Sequence, residues 1–226
     1  MNVLVIAPHA DDETIGCGGT IARYASEGHK VTVAIMTGHG DDEPHPVFPR
    51  EVFDGIRAEA TRAHAVLGVA QTILREIPSV RVAEQPLWKL NGIVRDIFEE
   101  VQPELVFVPF QFDLHEDHRR LFAACSVAWR PSSALGRNIS AVYTYETPSE
   151  THWNFANVEP GFMPNVYVDI SDHLETKLEA LRCFASQIDP FPGARSIEAL
   201  EALARFRGSQ MHMAAAEAFV MVRQAI

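Results

Sequence analysis

"VLVIAPHADDETIGCGG", Val3 to Gly19, opens as a strand and then changes character. The run NVLVIA (2–7) is apolar at nearly every position and rich in β-branched residues, the pattern of a strand buried on both faces of a parallel sheet. Directly after it come His9, Asp11, Asp12 and Glu13, followed by Gly16, Gly18 and Gly19. In an open α/β sheet, ligands gather outside the carboxyl ends of the strands, which is where these residues fall. Neighbouring carboxylates repel one another unless a cation lies among them, so the cluster calls for a metal ion. The glycines are expected to let the chain turn sharply and keep its backbone close to that ion.

Outward from this stretch, apolar runs alternate with helical periodicity. KVTVAIMT (30–37) is a second strand, and GTIARYASEG between the two is a crossover helix ending at Gly28. GHGDDEPHPVFP (38–49) is a polar, proline-punctuated loop of functional length. A helix over 51–68, a strand over 71–77, a helix over 87–101 and the strand ELVFVPF (104–110) follow. The next loop carries DLHEDHRR and leads into a helix over 117–129. AVYTYE, NVYVDI, a helix over 172–186 and a closing strand AEAFVMV complete the chain. The pattern predicts one α/β domain over residues 1–226: a Rossmann-like sheet, largely parallel in its N-terminal half, flanked by helices, with a mixed C-terminal portion.

Composition narrows the function. No apolar stretch is long enough to span a membrane. Met1-Asn2 runs straight into the first strand without a basic n-region, and Cys17, Cys125 and Cys183 are widely spaced, so a cytoplasmic protein with reduced thiols is expected. Nineteen basic against thirty acidic residues leave a net charge of −11, which disfavours nucleic acid as a partner. A small-molecule substrate is expected, and a homo-oligomer is compatible with the sequence.

A second strand end is loaded as well. The strand ending at Phe110 is followed by His115-Glu116-Asp117-His118. His9, Asp12 and His118 together offer two imidazoles and one carboxylate, leaving a coordination position open as catalytic zinc requires. The same set suits iron(II), whereas magnesium prefers oxygen ligands. One H-x-x-D after a strand reads more readily as structural; a second cluster at another strand end reverses that. Asp11 and Asp117 also fit helix N-caps.

Taken together, Pro8-His9-Ala10-Asp11-Asp12-Glu13 and His115-Glu116-Asp117-His118 resemble the two signatures of the LmbE/PIG-L family of zinc-dependent de-N-acetylases. Ala10 stands where the family carries proline. The resemblance extends through RAEATRAHAVLGV, YETPSETHW and RFRGSQ…AEAF, so it covers nearly the whole chain. It implies Zn2+ on His9, Asp12 and His118, with Asp11 as general base. It further implies that His115, oriented and kept charged by Asp117, stabilises the oxyanion together with Arg57. The substrate it implies is an N-acetylated amino sugar or sugar conjugate, with Trp153 and Tyr145 as a wall for the ring or as core packing.

Other features read as bland. The glycines lack the G-x-G-x-x-G spacing of a dinucleotide loop. Cys17 reads as a small packed residue, His64 as packing or surface, and His39 and His45 as solvated loop histidines; His212 has no assigned role. Two rivals share the site: an iron(II) oxygenase on the same triad, and a non-catalytic sugar-binding protein on the same fold. Intact Asp11 and His115 argue against the second, since a binder needs neither a base nor an oxyanion partner.

Overall fold

The computed structural model describes residues 1–155 and 157–225. Its strands are β1 (Asn2–Ala7), β2 (Lys30–Gly38), β3 (Gln71–Pro78), β4 (Leu105–Pro109), β5 (Ala141–Tyr145), β6 (Val166–Asp169) and β7 (Ala216–Gln224). Between them run α1 (Asp12–Ser26), α2 (Arg50–Leu67), α3 (Leu87–Val101), α4 (Glu116–Ala128) and the short α5 (Ala134–Asn138) and α6 (Pro148–Thr151). Then come α7 (Leu174–Arg182) and α8 (Ile197–Ser209). All seven strands form one sheet in the order β3-β2-β1-β4-β5-β7-β6. The first five are parallel, and β7 runs antiparallel between β5 and β6. The largely parallel sheet with a mixed C-terminal portion is therefore present.

Strand periodicity divides the core in two. From β1, Leu4 and Ile6 join Met36, Phe98 and Leu121 on the side covered by α3 and α4. Val3 and Val5 point the other way, with Ile35, Leu67 and Phe184, on the side covered by α1, α2 and α7. Side chains of this kind contribute about 1.5–3 kcal/mol each when fully buried. Because both faces are covered, alternation in polarity is lost and β1 becomes a continuous apolar run.

The order of the sheet positions the site. Chain connection reverses direction between β1 and β4, and the crevice outside the carboxyl ends of such a pair is where open α/β sheets hold ligands. His9 follows β1, and the segment 110–118 follows β4.

Two sequence expectations give way. The glycines do not form a loop: α1 begins at Asp12, so Gly16, Gly18 and Gly19 lie inside it. A Cβ at Gly19 would stand 2.6 Å from Ile170, one at Gly18 would stand 3.1 Å from Lys177, and one at Gly16 would overlap the Tyr145 ring. They are there because neighbouring elements approach the helix closely. The expected helix over 172–186 is shorter, Leu174–Arg182, preceded by a 3-10 turn over Ser171–His173. Beyond it α8 adds a helix the periodicity did not single out, capped by Ser196, whose Oγ accepts from Ala199 N at 3.1 Å. Among the described residues no helix is long and apolar enough to cross a membrane.

Candidate metal centre

Three side chains converge in the crevice. Asp12, in the first turn of α1, is fully buried; its Oδ2 accepts from His9 N at 2.9 Å and lies 3.3 Å from His9 Nδ1. From the first turn of α4, His118 Nε2 comes within 3.2 Å of the same oxygen. One ligand atom from each of His9, Asp12 and His118 fits within a 4.8 Å span. His118 Nε2 and Asp12 Oδ1 are buried without a hydrogen-bond partner. A buried polar group left so costs about 1–3 kcal/mol, and more when charged. Two imidazoles, one carboxylate and two orphaned atoms fit a divalent metal of the zinc or iron(II) type.

Each of the two histidines is backed by a carboxylate. His9 Nε2 lies 3.1 Å from Asp117 Oδ2, and His118 Nδ1 lies 2.8 Å from Asp113 Oδ2. Asp117 also accepts from the amides of Val80 (2.7 Å) and Val82 (3.1 Å), and Asp113 accepts from Thr151 Oγ1 (2.6 Å). A ligand histidine held this way is fixed in tautomer and orientation. Burial lowers both imidazoles, but the carboxylates outweigh it: His9 rises to about 9 through Asp117 and Asp12, and His118 to about 10 through Asp12 and Asp113. Burial raises Asp12, yet His118 and His9 hold it well below the usual carboxylate range.

The side-chain hydrogen bond of the Asp117 carboxylate goes to His9. His115 is the N-cap of α4, and its Nδ1 accepts from the backbone amide of Asp117 at 3.1 Å. Burial and His9 push His115 down to about 4 against the pull of Asp117, so the ring is neutral rather than charged. With Nδ1 an acceptor, the ring proton sits on Nε2. As to the N-cap alternatives, Asp11 occupies that position on α1 without a side-chain cap bond, and Asp117 sits within the first turn of α4.

Asp11 is almost wholly buried beside the triad. Burial raises its carboxyl to about 7 although Arg195 lowers it. Its amide donates to Glu13 Oε2 at 3.2 Å; Glu13 meets His64 Nε2 at 3.2 Å, and His64 Nδ1 meets Thr72 Oγ1 at 2.7 Å. His64 is thus a buried link in that chain. Asp11 Oδ2 pairs with Arg195 Nη1 at 2.8 Å, while Oδ1 is buried and unpartnered.

A cavity of about 210 Å³ opens onto His9, Asp11 and His115, with Phe53, Arg57 and Arg195 among its walls. Arg57 arrives with its Nη groups committed to the Glu76 carboxylate and to the carbonyls of Thr37 and Arg75, leaving Nε buried and unpartnered. Of the two readings of Tyr145, the residue fits core packing: it is fully buried and its hydroxyl donates to Ile6 O at 2.9 Å. Trp153 is 61% exposed and is not part of this cavity's lining. His45 is buried rather than solvated, its Nδ1 accepting from the amides of Val47 and Phe48. His39 is half-buried beside Phe53, and His212 sits in a turn after α8.

Sequence reasoning missed Asp113 and Arg195. Asp113 had a signal, a carboxylate two residues ahead of His115 in a loop already singled out. Arg195 had none, since its partner is 184 residues away.

Comparison with known proteins identifies the family. The PIG-L family, described as GlcNAc-PI de-N-acetylase, matches residues 4–129. A 1D-myo-inositol 2-acetamido-2-deoxy-alpha-D-glucopyranoside deacetylase from Actinosynnema mirum is 29% identical over 82% of this chain and 80% of its own length. The N,N'-diacetylchitobiose deacetylase of Pyrococcus horikoshii superposes with a TM-score of 0.75 at 26% identity, covering 97% of this chain and 83% of that one. The fold is also shared by GalB, the 4-carboxy-2-hydroxymuconate hydratase of Pseudomonas putida, with a TM-score of 0.77 at 22% identity over 100% and 98% of the two chains. The chain belongs to the PIG-L family.

Proposed function

We propose that this PIG-L family member is a metal-dependent amidohydrolase that removes the acetyl group from an N-acetylated amino sugar or sugar conjugate. The observation that carries the reading is the buried convergence of His9, Asp12 and His118, with two orphaned ligand atoms, beside an unpartnered Asp11 oxygen at the foot of a cavity. Those three residues would hold zinc or iron(II). When bound, the metal supplies a Lewis acid that polarises the amide carbonyl and makes water acidic near neutral pH. Asp11 takes the proton of the attacking water at Oδ1 and returns it to the departing amine. His115, neutral and protonated on Nε2, donates to the carbonyl oxygen as negative charge builds there, and Arg57 in the same wall adds positive charge. Asp117 and Asp113 keep His9 and His118 turned inward. The cavity is smaller than the roughly 300–1,000 Å³ typical of drug-sized ligands, which suits one sugar ring with the rest of the conjugate outside. The free cysteines suit a cytoplasmic enzyme.

The test is a panel of N-acetylated amino sugars and their glycosides, assayed for released acetate and free amine in equal amounts. Equal release supports the reading. No release from any member, together with hydration of an unsaturated carboxylic acid or with oxygen uptake, would replace it with hydratase or oxygenase chemistry.

A further inference from the structure

We propose that Arg195 is a positioning residue for this reaction: it binds one oxygen of Asp11 and so fixes the other as the oxygen that meets the water proton. The inference rests on the reading of Asp11 as the base.

A carboxylate turns easily about its last torsion, and its two oxygens are equivalent until something distinguishes them. Here Arg195 does so. Its Nη1 lies 2.8 Å from Asp11 Oδ2, and Oδ1 is left buried with no partner. The guanidinium is itself held: Nε donates to Ser149 Oγ at 2.9 Å, and Nη2 lies 3.4 Å from Glu150 Oε1. Both anchors belong to α6, and Glu150 O accepts from Leu114 N at 3.0 Å in the loop that also carries Asp113. On its other side Arg195 precedes Ser196, the N-cap of α8. Arg195 therefore stands on the same scaffold as the His118 side of the centre, so the Asp11 oxygens are set relative to the triad. The other guanidinium lining the cavity cannot substitute, because the Nη groups of Arg57 are committed to Glu76 and to two carbonyls. A rigid planar fork is the group suited to this task; an ammonium would supply charge without fixing direction.

The experiment compares Arg195→Ala, Arg195→Lys and Asp11→Asn as metal-loaded proteins, measuring kcat, KM, metal content and the response to added guanidinium. Arg195→Ala is expected to lose roughly 10²-fold in kcat, the cost of a misplaced catalytic group, with KM changed less than about threefold and metal content intact. Guanidinium should restore at least a tenfold part of that loss, and Arg195→Lys should fall between the wild type and the alanine variant. A wild-type kcat in Arg195→Ala, a change confined to KM, or a loss that guanidinium does not restore overturns the proposal. Should the alanine variant fail to fold, Arg195→Gln carries the same comparison of kcat with KM. An Asp11→Asn protein with wild-type kcat overturns the reading of the base itself, whereas an inactive Asp11→Asn beside an unimpaired Arg195→Ala overturns only the part given to Arg195.

Discussion

Asp11 and Asp12 are adjacent and chemically alike, and their surroundings set them to different tasks. Asp12 faces His9 and His118, which hold it well below the usual carboxylate range; Asp11 faces the cavity and Arg195, raised to about 7 by burial. Asp12→Asn and His118→Ala are therefore expected to lose most of the bound metal. Asp11→Asn should keep it while kcat falls about 10²–10⁴-fold, the range for a lost general base. Metal analysis and kinetics on the three variants check this; a metal-free Asp11→Asn beside a loaded Asp12→Asn would exchange the roles. Behind the triad, Asp113→Asn should weaken metal affinity about 10–100-fold in a competitive chelator titration. The pH sign follows from His9 at about 9 and His118 at about 10: both must give up a proton to bind metal. Apparent affinity should therefore rise with pH through the neutral range, and binding should release protons, measurable by calorimetry in buffers of different ionisation enthalpy. At this scale His9, Asp12 and His118 stood out in the sequence because each belongs to a segment that follows the carboxyl end of β1 or β4. Arg195 was not, because only the folded chain brings it to Asp11.

The element that departs furthest from expectation is α1. Three glycines after a polar cluster suggest a loop, since glycine is a poor helix former. In the structure they lie within a helix whose first eleven residues are all buried, and neighbouring elements press on them. Sequence periodicity carries no record of that pressure. The sign of a substitution does: Gly19→Ala should destabilise by about 1–3 kcal/mol, the usual cost of overpacking, because Ile170 already occupies the space. Gly92→Ala in α3 meets nothing within 4 Å and should stabilise by about 0.4–1 kcal/mol. Urea unfolding of both variants measures the contrast. The parallel half was legible in its elements, from strands with β-branched runs and helices stopped by Gly28 and Gly68. The C-terminal strand AEAFVMV was legible as a strand, but its place between β5 and β6 was not, because antiparallel partners are chosen by contacts far apart in sequence.

At the scale of the whole molecule, a buried ion pair of the C-terminal half grips α1. Lys177 of α7 meets Glu217 of β7 at 2.5 Å and donates to Ile15 O of α1 at 2.7 Å. Glu217 in turn accepts from the amides of Gly19 (2.9 Å) and Thr20 (2.7 Å). Both side chains are about 95% buried, so removing one partner strands the other. Glu217→Gln should cost about 3–5 kcal/mol in denaturant unfolding, where a surface pair would cost under about 1 kcal/mol. Because the pair grips the helix that carries Asp12, its loss should also weaken metal binding. That dependence reflects the larger arrangement: one sheet whose order reverses between β1 and β4, so that two distant histidine motifs face one crevice. The measurement that tests this account most directly is acetate release by chelator-stripped protein as zinc or iron(II) is added back. Release is expected to be absent in the stripped protein, to rise in proportion to metal and to level off at about one equivalent per chain, with no such rise in Asp12→Asn. Acetate release at full rate from the stripped protein, or from Asp12→Asn, would contradict it.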